Sequence, residues 1–500
     1  MKLRKKRHKP MHINDITIID DSKLKKAITA AALGNAMEWF DFGVYGFVAY
    51  ALGQVFFPGA SPGVQMIAAL ATFSVPFLVR PLGGLFFGAM GDKFGRQKVL
   101  SITIIIMAVS TFCIGLIPSY ASIGIWAPIL LLLAKLAQGF SVGGEYSGAA
   151  IFVAEYSPDR KRGFMGSWLD FGSIAGFVLG AGVVVLISSI VGEANFLDWG
   201  WRIPFFIAAP LGLIGLYLRH ALEETPAFQQ HVDKMEKDDR NAIENPPKTS
   251  FKEIASKHWK SLLVCVGIVI STNVTYYMLL TYMPSYLSHN LHYSEDHGVL
   301  IIIAIMIGML FVQPVIGLTS DRVGRKPFII GGSIGLMALA VPCFILINSN
   351  VIGLIFLGLL VLAVLLNCFT GVMASILPAM FPTHIRYSAL AISFNISVLV
   401  AGATPTAAAW LVESTGNLYM PAYYLMVVAV IGLITGLYMK ETANKPLRGA
   451  TPAASDRAEA KELLQETYDN IEQKVEDINA QIAELEKKKQ TLIDQHPKLD

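Results

Sequence analysis

The sequence predicts an all-α membrane protein, with twelve transmembrane helices in two six-helix halves followed by a cytoplasmic C-terminal coiled coil. Three features carry that expectation. Long apolar runs recur along most of the chain. A small charged turn is written twice, as "GDKFGRQK" at 91–98 and "SDRVGRKP" at 320–327. The last segment then changes to a charged heptad repeat.

The 500 residues are 54% hydrophobic and 15% charged, with a mean hydropathy of +0.52, far more apolar than a water-soluble domain. Runs such as "SITIIIMAVSTFCIGLIPSY" and "GSIAGFVLGAGVVVLISSIV" hold about 20 residues each, enough at about 1.5 Å per residue to cross a hydrocarbon layer about 30 Å thick. The spans read 27–56, 64–90, 97–118, 123–155, 163–191, 201–220, 259–288, 297–319, 326–347, 350–380, 387–412 and 420–440. Cys113, Cys265, Cys343 and Cys368 all fall inside apolar runs, far apart, and read as small core residues. The basic start "MKLRKKRHKP" has no short apolar stretch after it and reads as a cytoplasmic tail. A net charge of +3 is too small to point to a nucleic acid.

Lys and Arg sort by side. They fill the N-terminus, "GDKFGRQK", "SPDRKRG", 220–260, "SDRVGRK", "THIR" and the tail, and are absent from "FFPGASPG", "PSYAS", "EANFLDWGW", "SHNLHYSEDHG", "NSN" and "ESTGN". Both termini are therefore expected in the cytoplasm. Arg202 is the nearest exception, with Asp198 close enough in sequence to neutralise it. The chain divides into a basic N-terminus (1–26), a first half (27–220), a cytoplasmic central loop (221–258), a second half (259–440), a linker (441–458) and a coiled coil (459–496).

The repeated turn closes spans 2 and 8, and a second echo, "SPDRKRG" and "PTHIR", closes spans 4 and 10, matching Pro158 with Pro382 and Arg162 with Arg386. Two parallel six-helix repeats place a binding site near the midplane between them. In each turn an aspartate, Asp92 or Asp321, can cap a neighbouring helix. A glycine, Gly95 or Gly324, supplies the tight backbone, and Arg96 or Arg325 supplies the charge. Glu155, Arg162 and Arg386 lie at or beside the second pair of turns.

Ionisable groups inside a span are costly and mark function. Glu38, Asp41 and Tyr45 share one face of the first helix. A buried carboxylate there, paired with Lys135 or Arg80, can carry a proton, so Asp41 and Glu38 are the expected coupling residues and Lys135 the counter-charge. Glu145 and Asp170 read as structural. Asn35, Trp39, Tyr45, Arg80, Lys135, Trp168, Asn273, Tyr276 and Tyr277 are the expected substrate contacts: rings hold a quaternary ammonium and a cation holds its carboxylate. Glycines 172, 176 and 180 in "GSIAGFVLG" let backbones approach closely.

The paired turn, G-D-x-x-G-R at 91–96 and S-D-x-x-G-R at 320–325, resembles the signature of the major facilitator superfamily, and that resemblance implies a gate, formed by the turn residues with Glu155, Arg162 and Arg386, governing which side of the membrane the halves open to. "GNAMEWFDFGVYG", "RPLGGLFFGAMGDKFGR", "KLAQGFSVGGEY" and "DWGWRIPF" together resemble the metabolite:proton symporters of that superfamily. The resemblance implies the major facilitator fold, no cofactor beyond protons as coupling ion, and a helix-1 aspartate paired with a helix-4 cation, here Asp41 and Lys135. Lys135 stands where arginine is more common.

In the tail, Leu464, Ile471, Ile478, Leu485 and Leu492 fill d positions, with Tyr468, Val475, Ile482 and Lys489 at a positions. A symporter with this tail resembles the bacterial osmosensory members of the family that import proline and glycine betaine. That resemblance implies small zwitterionic solutes and protons as ligands, activation at high osmolality, and a homodimer through the coiled coil. It also implies anionic lipids against the basic segments and a multi-pass location in the inner membrane. A symporter of dicarboxylates or other organic acids, or a transporter-like membrane sensor, are the competing readings. No nucleophile–base set, phosphate loop or metal cluster points to an enzyme.

Overall fold

The computed structural model describes residues 12–59, 62–220, 256–287, 291 and 295–495. Twelve helical segments follow the predicted spans: α1 Asp21–Phe56, α2 Pro62–Phe94, α3 Arg96–Leu116, α4 Trp126–Tyr156, α5 Arg162–Val191 and α6 Ile203–His220, then α7 Trp259–Tyr282, α8 Glu295–Val323, α9 Lys326–Ile347, α10 Ile352–Ile376, α11 Arg386–Thr415 and α12 Met420–Tyr438. Among the described residues nine of these, α3 to α5 and α7 to α12, are long and apolar enough to cross a membrane by composition. α1 fills a predicted span while burying Glu38 and Asp41 in its apolar stretch. A thirteenth helix, α13 Arg457–Gln495, carries the heptads.

The two halves repeat each other's packing. In the first, α1 lies on α5, α2 on α4, and α3 on α4 and α6; in the second, α7 lies on α11, α8 on α10, and α9 on α10 and α12. Two seams join the halves, α5 against α8 and α2 against α11. Shifting by six helices turns one seam into the other, as the repeated turns predict. The approach of α1 to α5 depends on the predicted glycines. A Cβ added at Gly172, Gly176 or Gly180 would stand 2.3, 1.9 and 2.5 Å from the carbonyl oxygens of Ala32, Ala36 and Phe40.

Both copies of the turn need their glycine, for φ is +99° at Gly95 and +101° at Gly324, a region that L side chains avoid. At Gly324 a Cβ would also meet Glu441 Oε2 at 2.7 Å. Gly324→Ala is expected to cost about 1–2 kcal/mol, read as a lower thermal midpoint of the detergent-solubilised protein; an unchanged midpoint would contradict this account of the turn.

Several expectations are corrected. Cys113 is exposed on α3 and Cys368 only half-buried, because their faces point out of the bundle; all four cysteines are free. Arg202 makes no ion pair with Asp198 among the described residues. It donates to the carbonyls of Gly115 (2.8 Å) and Ile117 (2.6 Å), closing the C-terminal end of α3. α1 begins at Asp21 rather than 27, because Asp20 caps it, accepting from Ser22 N at 2.7 Å and Lys23 N at 3.1 Å. The segment read as a linker is docked: β1 (Thr17–Ile18) pairs in parallel with β2 (Ala453–Ala454). Ile16, Ala454, Ala460 and Leu463 form a small core under it.

Candidate functional site

α1 places its polar residues where three neighbouring helices meet. Asp41 accepts from Lys135 Nζ of α4 at 3.2 Å, and Glu38 pairs with Arg80 of α2. All four side chains are buried, at 1–4% exposure. Lys135 also lies 4.0 Å from the Tyr45 ring centroid, and Arg80 sits over Phe42 and Phe77 at 5.7 and 5.5 Å. Each cation is therefore held by one carboxylate and by ring faces. Removing one partner of such a pair costs about 3–5 kcal/mol, because the other is left charged and buried. The second oxygens, Glu38 Oε2 and Asp41 Oδ1, are buried and have no hydrogen-bond partner among the described residues, and each is a lone-pair site able to take a proton.

Aromatic rings from both halves converge beside the Glu38–Arg80 pair. Trp39 of α1 lies 4.6 Å from Tyr276 and 6.4 Å from Tyr277 of α7, and Phe77 of α2 lies 5.8 Å from Tyr277. The Tyr276 hydroxyl is buried without a partner among the described residues. From Tyr277 to Tyr282 the backbone widens into a π turn. Pro284 accounts for it: lacking an N–H, it cannot bond the carbonyl four residues back.

The structure brings together Glu38, Trp39, Asp41, Tyr45, Arg80, Lys135, Tyr276 and Tyr277, and leaves three expected contacts elsewhere. Trp168 meets Phe164 and Phe171 of its own helix, at 6.1 and 4.9 Å. Asn35 donates to the Leu169 carbonyl at 2.9 Å and to Ser173, tying α1 to α5. Asn273 donates to Val269 of its own helix at 3.0 Å. Asp170, expected from the sequence to be structural, stands apart from the two pairs. It is buried and accepts from the Tyr146 hydroxyl at 3.1 and 3.3 Å, with no ion pair among the described residues. Sequence reasoning had no signal for its isolation, since its carboxylate looks no different from its neighbours until the fold shows which cations are out of reach.

A second cluster lies at the end of the bundle that carries the termini. Asp321 of α8 accepts from the amides of Gly163 (2.7 Å) and Phe164 (2.8 Å), capping α5 across the seam. Glu155 of the first half pairs with Arg386 of the second, and Tyr387 Oη donates to the Gly144 carbonyl at 2.7 Å. Arg162 and Arg386 repeat one geometry: each Nε donates to the carbonyl eight residues back, Ala154 at 3.2 Å and Pro378 at 3.1 Å. Burial, then the nearby Arg162 charge, push the Arg325 guanidinium down to about 10. Burial would raise the Glu441 carboxyl, but amides of Lys326, Ala443, Arg325 and Thr442 outweigh it and hold it low. The side chains of Asp92 and Arg96 lie outside the described residues, as do those of Ile471, Val475, Ile478 and Leu492.

On α13, Ile482, Leu485 and Lys489 are exposed and Tyr468 is 40% exposed, while Leu464 packs beside the Ile16 core.

Comparison with known proteins places these features in a family. Residues 27–453 match the model described as sugar (and other) transporter, and 455–500 match the osmosensory transporter coiled coil. The chain is 80% identical over 498 residues to the proline/betaine transporter of Salmonella typhimurium, covering all of both chains. It is 79% identical over 500 residues to the glycine betaine/proline/ectoine/pipecolic acid transporter OusA of Dickeya dadantii, again covering both fully. Among solved structures, the major facilitator superfamily proton:xylose symporter XylE bound to 6-bromo-6-deoxy-D-glucose aligns with a TM-score of 0.69 at 21% identity, over 85% of this chain and 98% of that one.

Proposed function

This chain belongs to the sugar (and other) transporter family and carries the osmosensory transporter coiled coil, and we propose that it imports proline, glycine betaine and related zwitterions together with protons, becoming active at high osmolality. The observation that carries the coupling is the Asp41–Lys135 pair, buried in the first half with the Lys135 ammonium against the Tyr45 ring. A proton on Asp41 removes the charge that holds Lys135, leaving the ammonium on the Tyr45 ring and a neutral carboxyl. The two protonation states therefore favour different packing of α1 on α4, which is what coupling requires.

A zwitterion needs two poles. Arg80 offers the carboxylate pole, already lined by Phe42 and Phe77. The ammonium pole is the Trp39, Tyr276 and Tyr277 rings, and the buried carboxyl of Asp170, with no ion pair among the described residues, can face the ammonium once it ionises against that charge. Asp170→Asn is expected to raise the half-saturating glycine betaine concentration at least about tenfold, a loss of about 1.4 kcal/mol. Uptake against a series of betaine concentrations reads this, and an unchanged curve would return Asp170 to a structural role.

Both termini face the cytoplasm of a bacterial inner membrane on this reading, with the basic segments 1–26 and 221–258 against anionic headgroups. The exposed Ile482 and Leu485 belong to a seam that a second copy of α13 would cover, giving a homodimer. The proton is the coupling ion, and no other cofactor enters the mechanism. The reading is tested by adding unlabelled glycine betaine to lightly buffered vesicles containing the protein. Alkalinisation of the medium supports symport, and betaine entry without proton movement contradicts it.

A further inference from the structure

The segment between α12 and α13 runs back and forth across the junction of the two halves. On the second half, Arg325 donates to the Thr442 carbonyl at 3.1 Å and Asn444 to the Asp321 carbonyl at 3.2 Å. It then crosses to the first half, where Arg162 donates to the Lys445 carbonyl at 2.9 Å. Returning, it meets Arg386, which donates to the Arg448 carbonyl at 2.8 Å. Finally it reaches the first half again, where Asp159 accepts from the Ala453 amide at 3.1 Å. At the middle of this path Leu447 is buried in one cluster with Ala154 of the first half and Ala379 of the second.

One main-chain carbonyl of the segment thus accepts from each of Arg162, Arg325 and Arg386, three of the four gate arginines, each at most 1% exposed. Such groups are costly to leave without acceptors. The halves can part at this end only if the segment leaves at least one of them. Its far end is fixed to the first half outside the gate, because β2 pairs with β1 and Arg160 bonds Glu462 at 2.7 Å and also Glu466, one turn apart on α13. The root of the coiled-coil helix and the acceptors of the gate arginines are therefore one continuous piece of chain.

We propose that residues 441–456 are a strap that holds the gate shut, released when α13 is drawn away from its anchor on the first half. This gives the coiled coil a mechanical route to transport, and its physiological meaning rests on the transport reading above. The test below keeps the two separate.

In a full-length chain with the four natural cysteines replaced by alanine, Leu447→Cys is exposed to a maleimide in vesicles whose gate end faces outward, with no substrate present. Slow labelling at low osmolality and at least about tenfold faster labelling at high osmolality is the expected result, since labelling follows local opening. Equal rates at both osmolalities overturn the strap. A second measurement reads the anchor. Arg160→Glu is expected to lower the osmolality of half-maximal uptake, and combining it with Glu462→Arg and Glu466→Arg to restore it. An unshifted activation curve in Arg160→Glu, or a shift that the reversed charges leave in place, overturns control through the anchor. If the unaltered chain takes up no betaine, the transport reading fails while the labelling still reports on the strap.

Discussion

Asp41→Asn abolishes uphill accumulation of glycine betaine while leaving exchange of internal for external betaine in place. Asparagine keeps the size of the side chain and an oxygen that can accept from Lys135, but it cannot take up a proton. The variant is fixed in a state resembling protonated Asp41, with the ammonium held by Tyr45 and a neutral partner. Substrate still moves the halves, and the gradient no longer biases them. Parallel measurements of gradient-driven uptake and of counterflow check this. Full uphill uptake by the variant would remove Asp41 from coupling and leave Glu38, whose second oxygen is also free of partners among the described residues.

Gly176→Val has an effect of comparable size through packing alone. A Cβ at this position would stand 1.9 Å from the Ala36 carbonyl oxygen and 2.7 Å from its Cα, so α1 and α5 must separate by more than side-chain adjustment allows. That displacement also reaches Glu38 and Trp39, two and three residues further along α1. The expected outcome is loss of monodisperse protein on size-exclusion chromatography of solubilised membranes, with uptake falling in parallel. A monodisperse, fully active Gly176→Val would mean that the observed α1–α5 contact is not the working one.

What the sequence reveals of this molecule depends on how local each constraint is. The helices are legible because length and apolarity are properties of single segments, and the twofold repeat because its turns need the same glycine conformation at Gly95 and Gly324. That α5 packs closely on a neighbour is also legible from its glycines at four-residue spacing, while the identity of that neighbour, α1, comes from the fold. Which carboxylate meets which cation is less so: spacing alone leaves Arg80 and Lys135 both open to Asp41, the resemblance implies Asp41 with Lys135, and the arrangement of α2 beside α1 adds Glu38 with Arg80. Trp168 shows the same limit, since a ring in a transmembrane helix has no sequence mark for the face it occupies. The docking of 441–456 was out of reach, because its bonds use main-chain carbonyls that any sequence possesses. The π turn at Tyr277 had a signal in Pro284 that the spacing of the tyrosines obscured.

The central claim is proton-coupled, osmolality-gated import of zwitterions. It is tested most directly by uptake of labelled proline and glycine betaine into proteoliposomes, with and without an inward proton gradient, over a series of external osmolalities. The account predicts accumulation that requires the gradient and rises as osmolality increases. Accumulation that ignores the gradient, or a rate that ignores osmolality in its presence, would contradict it.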